Sequence, residues 1–165
     1  MNHFLGLLLS LSFLSAYPNV QKGGELYVID NGFVFRPEEY TGVEVYEGGA
    51  WTMYFQIEQE LSVKPALRRF LTGSQMLLFH VVMNEEGKPE LIDAVERYYW
   101  YTIDHLARSF VDDFMLVIKA LPGWKAKGIH ELWIPVKFRT GGGRISIDYN
   151  AFVTGGVGKI RIGKK

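Results

Sequence analysis

The sequence predicts an α+β fold: a small antiparallel sheet packed by two helices, with an added N-terminal hairpin and a C-terminal β extension. Three stretches carry that expectation. Ile103, Leu106, Ala107, Phe110, Val111, Phe114, Val117, Ile118 and Leu121 recur at steps of three and four, the one-sided stripe of a core-facing helix. Gln75 to Met83 is an apolar run of strand length, and Pro89 to Glu96 returns across an Asn84-Glu85-Glu86-Gly87 turn, the pattern of an antiparallel hairpin. Leu132 to Phe138 is a short strand rich in branched and aromatic residues that must come back against the helix's apolar face after a turn at Lys127-Gly128. Each large side chain the helix buries contributes roughly 1.5–3 kcal/mol before ordering entropy, enough for this unit to anchor a small domain.

The remaining elements follow in chain order. Phe4 to Ala16 is an uncharged apolar run ending in small residues before Tyr17-Pro18. It is too short for a membrane-spanning helix, which takes roughly 20 residues, and suits the apolar region of a secretory signal peptide. The segment before it has no lysine or arginine, so an uncleaved short N-terminal anchor stays open as the alternative. A loop over Tyr17 to Gly24 leads to two β-branched and aromatic runs flanking Asp30-Asn31-Gly32, a hairpin signal because asparagine and glycine accept positive φ. Val43 to Tyr46 is extended, Glu47-Gly48-Gly49 lets the chain turn sharply, and Ala50 to about Leu61 is helical, with Trp51, Tyr54, Phe55, Ile57 and Leu61 at helical steps. Lys64-Pro65 stops that helix, and Pro65 suits the first turn of a short second one, Ala66 to Leu71. The cluster Tyr98-Tyr99-Trp100-Tyr101 is either a ligand platform or packing at a strand end. After the Gly141-Gly142-Gly143 joint, Arg144 to Tyr149 and Lys159 to Ile162 read as short strands.

Composition bounds the function. At 165 residues and 48% hydrophobic content, one compact domain is the expectation. Lysine plus arginine equal aspartate plus glutamate, 18 against 18, so no overall field selects nucleic acid or a membrane surface. The charge is nevertheless uneven: Glu25 to Leu61 is acidic with Arg36 its sole base, and Val136 to Lys165 is basic with Asp148 its sole acid. These are solvated faces or binding surfaces. With no cysteine, disulfides, thiol catalysis and a lipoprotein anchor are excluded.

No catalytic or cofactor motif emerges. His3, His80, His105 and His130 are not at metal-ligand spacing. Asp112 and Asp113 project about 100° apart on a helix and read as its solvated face, not an acid/base pair. Gly141 to Gly143 lacks the Lys-Ser/Thr of a phosphate loop, and no nucleophile elbow is present. The expectation is therefore a protein that is not an enzyme and uses no metal or cofactor.

From about Glu44 to Arg139 the chain resembles the C-terminal domain of the TonB energy-transducer family. The residues that carry the likeness are Val45-Tyr46-Glu47-Gly48-Gly49 before the first helix, Lys64-Pro65 after it, and the hairpin Leu78 to Val95 with its Asn84 to Lys88 turn. They are joined by Ala120-Leu121-Pro122-Gly123-Trp124-Lys125, the turn at Gly128, and Ile134-Pro135-Val136-Lys137-Phe138-Arg139. The Tyr98–Tyr101 cluster departs from the family pattern. The chain then divides into a signal segment (1–16), an N-terminal hairpin region (17–43), a TonB-like domain (44–139) and a Gly-rich basic extension (140–165).

The resemblance implies a non-catalytic module of the periplasm or cell envelope that pairs by strand addition with an extended segment of an envelope protein or outer-membrane receptor. The implied edge strand comprises Leu132, Trp133, Ile134, Val136, Lys137, Phe138 and Arg139, with Trp133 either on the contact side or in the core. Arg144, Ile145, Ser146, Ile147, Asp148 and Tyr149 are the expected cover of that edge. The six prolines are scattered, so there is no proline-rich spacer, and energy transduction by this chain alone is not expected. The second reading is a structural or assembly protein that self-associates as a homo-oligomer through its sheet edges.

Overall fold

The computed structural model describes residues 25–64, 73–95, 105–149 and 157–162. The signal segment, the short helix expected over Ala66 to Leu71 and the Tyr98–Tyr101 cluster lie outside the described residues. The element order is β1 (Glu25–Asp30), β2 (Phe33–Phe35), α1 (Gly49–Ser62), β3 (Gly73–Met83), β4 (Pro89–Val95), α2 (His105–Ala120), β5 (Glu131–Gly141), β6 (Arg144–Ile147) and β7 (Gly158–Ile162). This is the expected α+β architecture with two helices. All seven described strands belong to one antiparallel sheet, ordered β4-β3-β5-β2-β1-β7, with β6 also paired to β5. The N-terminal hairpin and C-terminal strands are therefore continuous with the central sheet.

Local chemistry explains the turns. Asn31 and Gly32 take φ values of 43° and 87°, both left-handed, as a two-residue hairpin turn requires. Gly142 and Gly143 do the same at 58° and 73°, so the triglycine is a tight turn, with Gly141 inside β5, where the sequence suggested a flexible joint. In the β3–β4 turn, the Glu86 and Lys88 amides each donate to Asn84 Oδ1 at 3.0 Å.

Both helices lie on one face of the sheet. Ala50, Met53, Tyr54, Ile57 and Leu61 of α1 are buried at helical spacing. Phe110, Phe114, Val117 and Ile118 of α2 pack on Phe79 of β3 and Phe138 of β5, with Phe114 ring centroids 4.8 Å and 5.6 Å from those two. Period-two alternation in β5 explains the division: Leu132, Ile134, Val136 and Phe138 are fully buried beneath the helices, while Trp133, Lys137 and Arg139 face the opposite, helix-free side.

Two sequence motifs meet where α2 ends. The Glu47 amide donates to the Gly123 carbonyl (2.7 Å) and the Lys125 amide to the Val45 carbonyl (2.8 Å), so Val45–Glu47 and Gly123–Lys125 pair as a short antiparallel bridge. Trp124 stands edge-on to Tyr46 at 5.3 Å, and its indole N–H donates to the Ile118 carbonyl (3.0 Å) in the last turn of α2, which otherwise accepts only a long bond from the Leu121 amide (3.4 Å) among the described residues. The Leu121–Lys125 segment thus ties the end of α2 to the stretch that leads into α1.

Candidate functional site: the edges of the sheet

For strand addition the functional groups are main-chain amides and carbonyls on an unpaired edge. The expected edge, Leu132 to Arg139, is not one. β3 pairs along the whole strand, from Val82↔Glu131 to Gly73↔Thr140. The other side is occupied by two short strands placed end to end, β2 at Val34↔Trp133 and β6 from Phe138↔Ile147 to Gly141↔Arg144. Assignment of Leu132, Trp133, Ile134, Val136, Lys137, Phe138 and Arg139 to a free edge is therefore corrected: they form a central strand. The physical reason is that the N-terminal hairpin and the C-terminal strand both reach this edge, and each buries apolar side chains in doing so.

Pro135 sits in the gap between β2 and β6. A proline within a central strand would remove a ladder hydrogen bond. Here the missing N–H belongs to the side of β5 that carries β2 and β6, but at a position between their pairings, and the Pro135 carbonyl accepts from the Tyr54 hydroxyl at 2.7 Å. The same hydroxyl lies 3.2 Å from the Gly32 carbonyl. Burial holds the Tyr54 phenol far above its ordinary titration range, so it remains a donor.

The residues expected to cover the edge are Arg144, Ile145, Ser146 and Ile147 in β6, continued by Asp148 and Tyr149. Ile145 and Ile147 are buried. The Asp148 amide donates to the Lys137 carbonyl (2.8 Å), and the two side chains form an ion pair at 3.3 Å. Glu58 of α1 closes the far side of β6 by accepting from the Ile147 amide (2.7 Å) and the Tyr149 hydroxyl (2.9 Å). Burial, then the Glu58 carboxylate, raises the Tyr149 phenol well above its usual range.

Trp133 lies on the helix-free face inside a self-satisfied cluster. His80 stacks on it at 4.9 Å, Tyr27 meets it edge-on at 5.4 Å, and the Arg36 guanidinium carbon is 5.7 Å from its ring centroid. Glu131 joins the cluster by accepting from Arg36 Nε (3.0 Å) and approaching His80 Nε2 (2.9 Å). These partners bind Trp133 to its own chain. Among the described residues no group of three or more His, Asp or Glu side chains could hold a metal ion, and no helix is long and apolar enough to cross a membrane.

The sheet ends in β7, whose only described strand neighbour is β1, and in β4, whose only described strand neighbour is β3. The Met83 amide donates to the His130 carbonyl at 2.7 Å, so the odd-numbered residues of β3 bond toward β5 and Val82 and His80 bond toward β4. Their partners Leu91 and Asp93 face inward, which leaves the main-chain groups of Ile92 and Ala94 directed outward. Lys119 of α2 donates to the Glu90 carbonyl (2.7 Å) at one end of this edge. No described group bonds Ile92 or Ala94 there. The sequence carried a signal for it: Pro89, Glu90 and Asp93 are the residue types that blunt an exposed edge against indiscriminate pairing.

No family model matches the chain, and neither a curated protein nor a solved structure is found similar to it.

Proposed function

We propose that this chain is a non-catalytic, exported protein-binding module of the cell envelope, TonB-like in its use of strand addition, and that the accepting edge is the outer side of β4. The observation that carries the reading is the outward main chain of Ile92 and Ala94, which no described residue pairs, on β4, a terminal strand of the sheet. Such an edge supplies hydrogen bonds to an extended segment, and alternate side chains supply selectivity. On the helix-free face those side chains are Leu91, 61% exposed, and Asp93. The segment that fits presents an apolar and a basic residue two positions apart on that face. Pairing of β4 with β4 of a second copy would bring the carboxylates of Glu90 and Asp93 from two chains to one seam, which disfavours homo-oligomers by this route.

The test is titration of the 15N-labelled chain with a short synthetic peptide that carries a valine and a lysine two positions apart, on one face of the extended chain. Saturable shifts centred on the Ile92 and Ala94 amides are expected. Ala94→Pro removes an outward N–H without touching the β3–β4 ladder, and should abolish those shifts while the protein stays folded. Unchanged binding by a folded Ala94→Pro variant overturns the assignment, as does concentration-dependent dimerisation through β4 in the absence of peptide.

A further inference from the structure

A cleft of about 390 Å³ opens between the β1–β2 turn and the start of α1. Its lining includes Asp30, Glu44, Phe33, Phe35 and Trp51, and among the described residues no basic one lines it. We propose that this cleft receives a cationic side chain, lysine or arginine, from a partner polypeptide.

The charge argument rests on how the two carboxylates are used. Asp30 Oδ2 accepts from the Tyr40 hydroxyl (3.1 Å), whereas its Oδ1 is buried with no hydrogen-bond partner among the described residues. A buried carboxylate oxygen without a partner is unfavourable, and a cation in the adjoining cleft offsets that field. Glu44 Oε1 accepts from the Gly48 amide (3.1 Å). Lys125, which is not part of the lining, stands 3.8 Å from Glu44 Oε2 and shares itself with Glu47 at 3.9 Å. The N-terminus of α1 opposes a cation with roughly half a unit charge, less than the two carboxylates supply.

Shape and ring chemistry narrow the ligand. The volume lies near the lower end of the range of small-ligand sites, roughly 300–1,000 Å³, and suits one long side chain with its stem. Trp51 is 53% exposed yet held in place, parallel to Phe55 within 2° and against Tyr149 at 5.3 Å. Trp51 lines the same cleft as Asp30 and Glu44, and an exposed aromatic residue together with carboxylates suits an ammonium or guanidinium on an aliphatic stem. The cleft shares no residue with β4, so this site and the strand-addition edge fail or stand separately.

The experiment titrates the full 15N-labelled chain with Nα-acetyl-arginine amide and Nα-acetyl-lysine amide, using the uncharged Nα-acetyl-norleucine amide as control. The cations should produce saturable shifts at the Gly48, Gly49 and Trp51 amides and at the Trp51 indole, weakening as salt rises. Glu44→Gln keeps an acceptor for the Gly48 amide while removing the charge, and should weaken binding roughly tenfold; Asp30→Asn should act in the same direction. Equal binding of the norleucine amide, or parental affinity in Glu44→Gln, overturns the proposal. Glu44 is half exposed at the rim, so that variant decides even where Asp30→Asn disturbs folding.

Discussion

The Tyr54 hydroxyl stands 2.7 Å from the Pro135 carbonyl oxygen and joins the middle of α1 to the stretch of β5 between its pairings with β2 and β6. The contact replaces a missing stretch of sheet ladder with a side chain that is only 1% exposed. Tyr54→Phe keeps the ring and strands the carbonyls of Pro135 and Gly32 away from a donor. We expect it to cost about 1–3 kcal/mol, the range for a buried polar group left unsatisfied. In urea the midpoint should fall with the slope unchanged.

The same phenol gives the protein an alkaline limit. In the unfolded chain Tyr54 titrates near its ordinary value of 10.0, while in the fold burial holds it protonated far above that. A folded pKa raised above the unfolded one means that this contribution is complete below pH 10 and is lost as pH rises beyond it. The slope is about 1.4 kcal/mol per pH unit for each such tyrosine. Tyr149 is shifted in the same direction and adds to the effect with the same sign. Urea midpoints measured between about pH 9 and about pH 11 should fall steeply in the parent and less steeply in Tyr54→Phe.

Gly123 is required by its neighbour rather than by its own backbone. A Cβ placed there would lie 2.6 Å and 2.7 Å from two carbons of the Tyr46 ring. Tyr46 is fully buried, faces Trp124 and donates to Gln56, so it has no room to retreat. Gly123→Ala should destabilise by about 1–3 kcal/mol through overpacking. Tyr46→Phe in that background removes the 3.0 Å contact with the hydroxyl but not the ring contacts, so it should not restore stability. Thermal denaturation of the two variants checks this, and recovery in the double variant would show that the hydroxyl, not the ring, was the obstacle.

Periodicity made the helices and hairpins legible, because each is decided by neighbours a few residues away. The α2 stripe, the Asn31-Gly32 turn and the Leu78–Val95 hairpin all have local causes. Neighbours in the sheet do not. Nothing in Leu132 to Arg139 says that Val34 and Ile147 lie alongside it, and Pro135 supports an edge strand as well as a central strand with a local gap. Trp133 illustrates the same limit: alternation places it opposite the buried set, but its stacking on His80 comes from β3 and its approach to Arg36 from the residue just after β2. The aromatic cleft at Trp51 was likewise visible only as a helical step, since its other wall is the distant β1–β2 turn.

If β6 merely shielded a binding edge, a chain ending at Thr140 would gain affinity for an extended peptide. The burial argues the opposite outcome. Ile145 and Ile147 are 5% and 3% exposed and belong to the main core, and Glu58 bonds the strand from its far side. Removing two buried isoleucines forfeits about 3–6 kcal/mol of burial. That is a large share of the roughly 5–15 kcal/mol by which a domain is stable. The truncated chain should therefore melt at a markedly lower temperature, with exchange protection lost first at Phe138–Thr140. It should show no gain in binding the lysine-valine peptide along β5. A truncated chain with the parent's melting temperature and new peptide-induced shifts at Lys137 and Arg139 would make β6 a displaceable cover instead of a structural strand.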